Sequence, residues 1–282
     1  MDVFERRAII EERVTAHGEV QFADLAREFG VSEMTIRRDI EVLQSAGIVR
    51  RVSGGAIALP GTAFEPSYGS RAGHAVDSKM HIAVAIVERL SPGETVILDS
   101  GSTVASVARA ICGRALGLTV ITPSLTVATT LADEPDTTVI LAGGIVRPGE
   151  LSLIGPDAER LIAGYNCDVY VAGVAGVGAE RGLTEYHPQE AAVKRAAVSA
   201  ARRLIVGADQ AKLGRVHLVN IAPLAAVDVL VTDAPADHPT VLDVQAAGAE
   251  VVLVSSHPPR PDPRPAAAAR SLLPLTDTSG AS

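Results

Sequence analysis

The stretch VSEMTIRRDI, residues Val31–Ile40, decides the fold of the amino-terminal part of this chain. Ser32 is a favourable helix N-cap, because its hydroxyl can accept a hydrogen bond from an unpaired amide of the first turn. Apolar residues then recur at helical spacing and predict one buried stripe, formed by Ile36, Ile40 and Leu43. Polar residues off that stripe are predicted to point outward, and they are Thr35, Arg37 and Arg38. The stretch therefore predicts a helix whose exposed face carries two adjacent arginines.

The residues before this helix change the interpretation of the arginines. Taken alone, an Arg-Arg-Asp sequence is more often a solvated surface than a functional face. Here a short amphipathic helix at Phe22–Phe29 is followed by Gly30 and then by the cap at Ser32. Two helices joined by a tight glycine-containing turn predict a helix-turn-helix, whose second helix enters the major groove of DNA. A preceding helix, Val3–His17, is expected to pack across the pair through Ile9, Ile10 and Val14.

A β-hairpin is predicted after the recognition helix. Gly47 stands where a glycine commonly ends a helix. Two apolar segments, Ile48–Val52 and Ala56–Leu59, then flank the turn formed by residues 53–55. On a helix-turn-helix such a hairpin is a wing that contacts DNA. Residues 1–59 are therefore predicted to be a winged helix-turn-helix domain, whose DNA contacts would be Ser32, Thr35, Arg37, Arg38, Arg50 and Arg51.

The charge of the chain limits how it can bind DNA. The formal net charge is -8, and residues 1–59 alone carry eight basic and ten acidic side chains. Broad nonspecific attraction to nucleic acid is therefore excluded, and binding must depend on where the arginines lie. Affinity for a single half-site is expected to be modest. A homo-oligomer that engages two half-sites of a double-stranded operator would compensate.

Composition excludes several other classes of protein. The chain is 47% hydrophobic but has only eight aromatic residues and no tryptophan, so its core must be aliphatic. Cys112 and Cys167 have no ligand-like spacing, so we expect two buried free thiols, no metal site and no cofactor. The charged start MDVFERR predicts no signal peptide, and no window has the length of a membrane span. These features predict a cytoplasmic protein.

A second domain is expected after a linker at residues 60–77, which is rich in Gly, Pro and Ser. Short apolar runs then alternate with helical segments, which predicts an α/β domain with a mostly parallel sheet over residues 78–256. Predicted strands are Thr95–Leu98, Leu118–Ile121, Thr138–Leu141, Val169–Ala172, Leu204–Gly207, Val229–Val231 and Val251–Val254. Predicted helices are Lys79–Leu90, Val104–Ile111, Leu125–Leu131, Asp157–Ala163, Gln189–Ala201 and Thr240–Ala247. The Pro- and Ala-rich tail at 257–282 is predicted to be disordered.

Ligands of such sheets bind beyond the carboxyl ends of the strands. The turn Asp99–Thr103 follows a strand, contains Gly101 and precedes a helix whose first amides are unpaired. This pattern suits a phosphate, although a capped strand-helix turn without a ligand is an equally good interpretation. The glycine-rich segment Gly173–Gly178 is too generic to indicate a cofactor.

Each of two charged pairs allows two interpretations from the sequence alone. Asp209 and Lys212 can flank a polar ligand, or they can form a surface ion pair that contributes little. Glu190 and Lys194 are one helical turn apart, which suits either a surface pair or a cleft.

The whole pattern resembles the DeoR/GlpR-type bacterial transcriptional regulators. The amino-terminal motif of that family is matched by Arg6, Ile10, Val14, Ser32, Thr35, Ile36, Arg37, Arg38, Asp39 and Ile40, and by the wing residues Arg50, Arg51, Gly54, Gly55 and Ala56. The sensor-domain motif is matched by Asp99, Gly101–Thr103, Leu141–Gly144, Gly182–Thr184, Glu190, Lys194, Arg195, Asp209, Lys212 and Gly214. The resemblance covers roughly residues 3–254.

This resemblance implies a repressor of sugar or carbohydrate metabolism genes that a phosphorylated sugar releases from its operator. It implies a sensor fold similar to ribose-5-phosphate isomerase and glucosamine-6-phosphate deaminase, with an effector site at Asp99, Gly101, Ser102, Thr103, Glu190, Lys194, Asp209 and Lys212. The chain departs from the family pattern at Pro123, where asparagine is usual, and at Gln210-Ala211, where His-Ser is usual. Both departures remove polar groups from the expected cleft.

A sugar-phosphate isomerase is the alternative from a different class. Such an enzyme needs a carboxylate base near the C–H bond that it deprotonates. The expected loop, Gly173–Gly178, carries no carboxylate, and the spacing of Glu180 and Glu185 does not suggest an acid/base pair. The sequence therefore favours a regulator that is not an enzyme, with no catalytic residues.

Overall fold

A computed structural model describes residues 2–17, 19–45, 48–58 and 65–255 of the chain. The amino-terminal part has the winged helix-turn-helix architecture that the sequence predicts. Its helices and strands, in chain order, are α1 (Val3–His17), β1 (Glu19–Gln21), α2 (Phe22–Phe29), α3 (Glu33–Ser45), β2 (Val49–Val52) and β3 (Gly55–Ala58). The three strands form an antiparallel sheet in the order β1-β3-β2. The predicted cap Gly47 and the end of the hairpin at Leu59 lie outside the described residues.

The recognition helix α3 is fixed by the stripe that the sequence predicts. Ile36 and Ile40 are completely buried, and Leu43 is 4% exposed. They pack with Ile10 and Val14 of α1 in one aliphatic cluster that also contains the phenyl ring of Phe22. The amide of Thr35 donates to the Ser32 hydroxyl at 3.2 Å, so the predicted N-cap is confirmed.

The segment expected to be a linker contains a helix. Its described part includes α4 (Tyr68–Gly73), and α5 (Val76–Val87) begins within it as well. Gly and Ser are weak helix formers, but tertiary contacts override that preference. The Ser67 hydroxyl caps the amide of Ser70, and α4 packs against α1 of the winged helix-turn-helix. Residues 60–64 lie outside the described part of the chain.

The rest of the chain contains the expected parallel sheet. Its helices and strands are β4 (Thr95–Leu98), α6 (Ser102–Ile111), β5 (Thr119–Thr122), α7 (Leu125–Leu131), β6 (Thr138–Leu141), β7 (Ile145–Val146), β8 (Leu153–Ile154), α8 (Pro156–Ala163), β9 (Cys167–Gly173), β10 (Gly176–Gly178), β11 (Gly182–Glu185), α9 (Pro188–Ala200), β12 (Ala201–Gly207), β13 (Val219–Ala222), β14 (Val229–Thr232), α10 (Pro239–Ala246) and β15 (Glu250–Leu253). Seven strands pair in parallel in the order β15-β14-β12-β9-β4-β5-β6. Short 3-10 helices occur at Gln210–Lys212 and Leu224–Ala226.

Both faces of the sheet are buried by aliphatic side chains. Alternate residues of β9 show this, because Val169 and Val171 pack into one cluster whereas Tyr170 and Ala172 pack into the other. The sequence predicted neither the small antiparallel sheet β10-β11-β13 nor the pair β7-β8. The expectation that both cysteines are buried was wrong for Cys112, which is an exposed free thiol, whereas Cys167 is buried and free.

Candidate functional site

A cavity of about 260 Å³ lies at the carboxyl ends of β4, β9 and β12. This is the edge of a parallel sheet where ligands are expected. Seven of the eight residues predicted to bind an effector line this cavity, and they are Gly101, Ser102, Thr103, Glu190, Lys194, Asp209 and Lys212. Residues that are distant in the sequence therefore converge on one site.

The amino-terminal end of α6 forms one wall of the cavity. Gly101 precedes the helix with φ of 102°, a conformation that side-chain-bearing residues rarely adopt. Ser102 and Thr103 begin the helix and line the cavity. The free amides of a first helical turn carry a positive partial charge, so this wall favours an anion.

Asp99 is the eighth predicted residue, and it lies behind the cavity wall. Its side chain is 2% exposed. One carboxylate oxygen accepts hydrogen bonds from the amide of Gly173 at 3.1 Å and from Lys194 Nζ at 2.5 Å, and the other accepts from the amide of Ser100 at 2.8 Å. Asp99 therefore positions the lysine and the turn, and it is fully occupied in doing so.

Lys194 and Glu190 are cleft residues rather than a surface pair. Lys194 is 3% exposed and Glu190 is 7% exposed. Burial alone would lower the pKa of Lys194, but the carboxylates of Asp99, Glu185 and Glu190 outweigh burial and raise it. Burial opposes ionisation of Glu190, yet Lys194, the Ser152 hydroxyl and a nearby guanidinium lower its pKa. Both groups are therefore charged.

Asp209 caps the 3-10 helix whose last residue, Lys212, lines the cavity. Asp209 is 2% exposed, and its carboxylate accepts from the amide of Ala211 at 3.1 Å. The ammonium of Lys212 lies 5.9 Å from the ring centre of Tyr186. Burial lowers the pKa of Lys212, although Asp209 acts in the opposite direction. This lysine is thus partly desolvated at the cavity.

Several further charged residues line the cavity, and they were not predicted from the sequence. They include Glu11, Arg71, Lys79, Glu150, Glu185 and Arg215. Lys79 is 3% exposed, and its ammonium donates to the carbonyl of His74 at 2.7 Å and to that of Arg71. Burial, together with the charges of Lys212 and Arg71, lowers its pKa to about 8, although the charge of Asp209 acts in the opposite direction. A signal was present in the sequence, because Lys79 lies on the same helical stripe as the buried Ile82 and Ile86.

Three carboxylates lie close together beside the cavity, those of Glu65, Glu185 and Glu190. Cations already neutralise this group within the described part of the chain. Arg147 contacts Glu65 and lies 3.1 Å from Glu190, and Lys194 lies 3.4 Å from Glu185. The three carboxylates thus take part in an ion-pair network with Arg147 and Lys194.

The departures from the family pattern affect the cavity less than expected. Ala211 lines it, so the absence of a hydroxyl there does alter the wall. Pro123 and Gln210 are not among the lining residues, and the amide of Gln210 donates to Asp233 at 2.7 Å. The prediction that all three positions remove polar groups from the cleft is therefore wrong for Pro123 and Gln210.

The predicted DNA-binding residues lie on one helix and one hairpin. Arg38 is exposed, while Arg37 and Thr35 are partly buried. Arg37 lies 3.5 Å from Glu33 and 5.3 Å from the ring centre of Phe22. Of the wing residues, Arg50 is exposed and Arg51 forms an exposed ion pair with Glu41 at 3.1 Å. The hydroxyl of Ser32 is engaged by the cap and lies 3.0 Å from that of Thr35.

Asp39, next to these arginines, fixes the recognition helix to α1. Its carboxylate is 2% exposed and accepts from Arg6 Nε at 2.7 Å and from Arg7 Nε at 2.8 Å. Each guanidinium uses a different carboxylate oxygen. Arg38 therefore lies on the exposed face of a helix that a buried ion pair holds against α1.

Both parts of the chain match known protein domains. Residues 6–60 match the DeoR-like helix-turn-helix domain, and residues 74–234 match the DeoR C terminal sensor domain. The chain is 33% identical to the HTH-type transcriptional regulator GlpR of Haloferax volcanii, over 88% of this chain and 96% of that regulator. It is also 33% identical to the glycerol-3-phosphate regulon repressor of Escherichia coli K12, over 80% of this chain and 89% of that repressor.

The isomerase alternative finds no support among these relatives. The structure of ribose 5-phosphate isomerase from Methanocaldococcus jannaschii is 17% identical and covers 49% of this chain and 54% of its own, with a TM-score of 0.35. That likeness supports no argument about activity. No helix in the described part of the chain is long and apolar enough to cross a membrane. The two domain matches and the relatives together show that the chain belongs to the DeoR family of DNA-binding transcriptional regulators.

Proposed function

We propose that this chain is a transcriptional repressor that releases its operator when a phosphorylated sugar, or a related phosphorylated metabolite, binds the cavity at the end of the parallel sheet. The observation that carries the proposal is a pair of desolvated lysines, Lys79 and Lys212, at a cavity that the amino-terminal end of α6 also lines. Burial disfavours both positive charges. A bound phosphate would compensate them, and the helix amides would bind its oxygens.

Paired positive and negative side chains elsewhere in the cavity suit the hydroxyl-bearing part of a sugar phosphate. Lys194 and Glu190 are charged, buried and already paired with other groups. They can therefore exchange hydrogen bonds with hydroxyl groups without adding net charge to the cavity. Asp209 provides a further buried carboxylate at the wall, and its charge raises the pKa of Lys79 and Lys212 against the effect of burial. A polyol body and a phosphate are the two parts of a sugar phosphate.

For the DNA side, we assign base and backbone contacts to different groups. Arg38 is exposed on α3, whereas Arg37 and Thr35 of the same helix are partly buried. These three would contact base edges in the major groove, and Ser32 at the helix start would face a phosphate. Arg50 and Arg51 would hold the DNA backbone from the wing.

Release would follow from a change in the spacing of two recognition helices. We infer that the protein is a homo-oligomer and that it acts in the cytoplasm. Two half-sites one turn of DNA apart need two recognition helices about 34 Å apart, and two copies of the chain would supply them. An effector that binds better to a different spacing shifts the population away from the DNA-bound form.

The test is fluorescence anisotropy of the full chain on its own upstream DNA, with phosphorylated sugars and their unphosphorylated parents. We expect tight binding that one phosphorylated compound reverses and its parent does not. Lys212→Met should abolish the response and spare DNA affinity. The control Arg202→Met removes a cation whose side chain is 83% exposed and should respond as the wild type does. A protein that ignores this DNA but consumes one of the sugars would contradict the proposal.

A further inference from the structure

The sensor cavity has a wall that the DNA-binding domain supplies. Ala8 and Glu11 of α1 line the cavity together with residues from the carboxyl ends of the sheet. The helix α1 belongs to the winged helix-turn-helix, where Ile10 and Val14 pack into the same core as the recognition helix. The opposite side of α1 packs on α4, whose residues Ser70 and Arg71 also line the cavity. One helix therefore touches both the core that orients the arginines and the ligand site.

Glu11 is the charged residue of this wall. Its carboxylate is buried, with 3% of the residue exposed. Burial raises its pKa to about 7, while a hydrogen bond from the Ser70 hydroxyl and the charge of Arg71 act in the opposite direction. Arg71 is shared, since it also contacts Glu150 and lies 3.2 Å from Glu65. The positive charge near Glu11 is thus divided among several carboxylates.

We propose that Glu11 is the residue through which the DNA-binding domain senses the ligand, because its carboxylate faces the same cavity as the ligand's phosphate. This inference rests on the proposed function. A phosphate in the cavity brings a second anion toward Glu11, and like charges at short range repel. The ligand therefore binds better when α1 has moved away from the cavity than when α1 is docked.

The sign of the coupling follows from that difference. A ligand shifts an equilibrium only by its differential affinity for the two states. Undocking α1 moves the helix to which Asp39 of α3 is bound through Arg6 and Arg7. The recognition helix is displaced with it. By reciprocity, a protein held with α1 docked should bind the anion more weakly.

Calorimetric titration of the full chain with inorganic phosphate tests the inference. We compare Glu11→Gln with Glu5→Gln, which removes the same charge from an exposed position of α1 outside the cavity. At about pH 8, where the carboxylate is mostly ionised, Glu11→Gln should bind phosphate roughly tenfold more tightly, which corresponds to about 1.4 kcal/mol. Glu5→Gln should match the wild type. Equal or weaker binding by Glu11→Gln would overturn the inference.

Failure of the proposed function gives a different result. If the cavity is not an anion site, the wild type will either bind no phosphate or bind it as tightly as Lys212→Met does. Both proposals are then refuted. If Lys212→Met removes binding but Glu11→Gln leaves it unchanged, only the role of Glu11 is refuted.

Hydrogen–deuterium exchange of the same proteins tests the movement itself. In the wild type, phosphate should increase exchange in α1, because the helix leaves its contact with α4. Ser70→Ala removes the partner of Glu11 from the sensor side, and it should raise exchange in α1 before any ligand is added. In Glu11→Gln the phosphate-dependent increase should disappear. An increase equal to that of the wild type would contradict the proposed contact.

Discussion

The buried ion pair between α3 and α1 makes a strong prediction about the recognition helix. Asp39→Asn keeps the shape of the side chain but removes its charge. The carboxylate accepts from Arg6 Nε and from Arg7 Nε on different oxygens. An asparagine has one acceptor oxygen, so one guanidinium would face an amide donor instead. The variant therefore breaks one contact and leaves two cations without their counter-charge.

The size of the effect follows from burial. Removing one partner of a buried ion pair costs about 3–5 kcal/mol, and a hydrogen bond to a charged group contributes about 1.5–3 kcal/mol. The side chain of Arg6 is 8% exposed and cannot regain water, whereas that of Arg7 is 27% exposed and can do so in part. Asparagine also retains one acceptor. We therefore expect a cost at the lower end of the first range, about 3 kcal/mol.

Native-state hydrogen exchange measures this cost in the full chain. Amides of α1 and α3 should lose about 3 kcal/mol of protection in Asp39→Asn, whereas those of β9 and β12 should not change. The matched control is Glu41→Gln on the same helix, since Glu41 pairs with Arg51 while 60% of its side chain is exposed. Exposed pairs contribute less than about 1 kcal/mol. If both variants lose the same protection, the buried pair does not fix the recognition helix and the reasoning is refuted.

Three further predictions concern the helix start, the DNA contact and the cavity. Ser32→Ala removes the N-cap of α3 and should lower the free energy of unfolding by about 1 kcal/mol in a urea titration. Arg38→Ala should weaken operator binding by about 1–3 kcal/mol in anisotropy, whereas Arg27→Ala, an exposed arginine of α2, should not. The pKa of Lys79 is lowered from 10.5 to about 8, so the unfolded chain binds the additional proton between these values. Stability should therefore rise with pH from about 8 to 10, and Lys79→Met should remove most of that rise.

Much of the fold could be predicted from local patterns. The apolar stripe of α3 and the cap at Ser32 are set by residues within one helix, and both predictions are confirmed. The parallel strands were visible because each is a short, uninterrupted apolar run between helices. The antiparallel strands β10, β11 and β13 were missed because β10 is only three residues long and contains two glycines, and because β13, which pairs with β11, lies more than 30 positions further along the chain. Helix α4 was missed because contacts with α1 and an ion pair of Arg71 stabilise a sequence of low helix propensity.

The site was harder to predict, because charged residues acquire their roles from distant partners. Glu190 and Lys194 gave no indication of burial, since an i, i+4 pair suits any exposed helix. Only the fold places Lys194 against Asp99, which is 95 positions away. Lys79 could have been identified, because it interrupts an apolar helical stripe that includes Ile82 and Ile86. A charge inside such a stripe is either paired or functional, and the sequence alone cannot name its partner.

The distribution of charge in the cavity argues for a ligand with two chemically different ends. At the end near β9, Lys194 is bound by Asp99, lies 3.4 Å from Glu185 and donates to the carbonyl of Gly173. The positive charge of Lys194 is already neutralised there by the two carboxylates, so a bound anion would add an unpaired negative charge. Lys79 instead donates to backbone carbonyls, and burial lowers the pKa of Lys79 and of Lys212 although the charge of Asp209 acts in the opposite direction on both. An anion at that end would stabilise both charged forms, and because the pKa of Lys79 would rise on binding, the ligand would be taken up together with a proton above about pH 8.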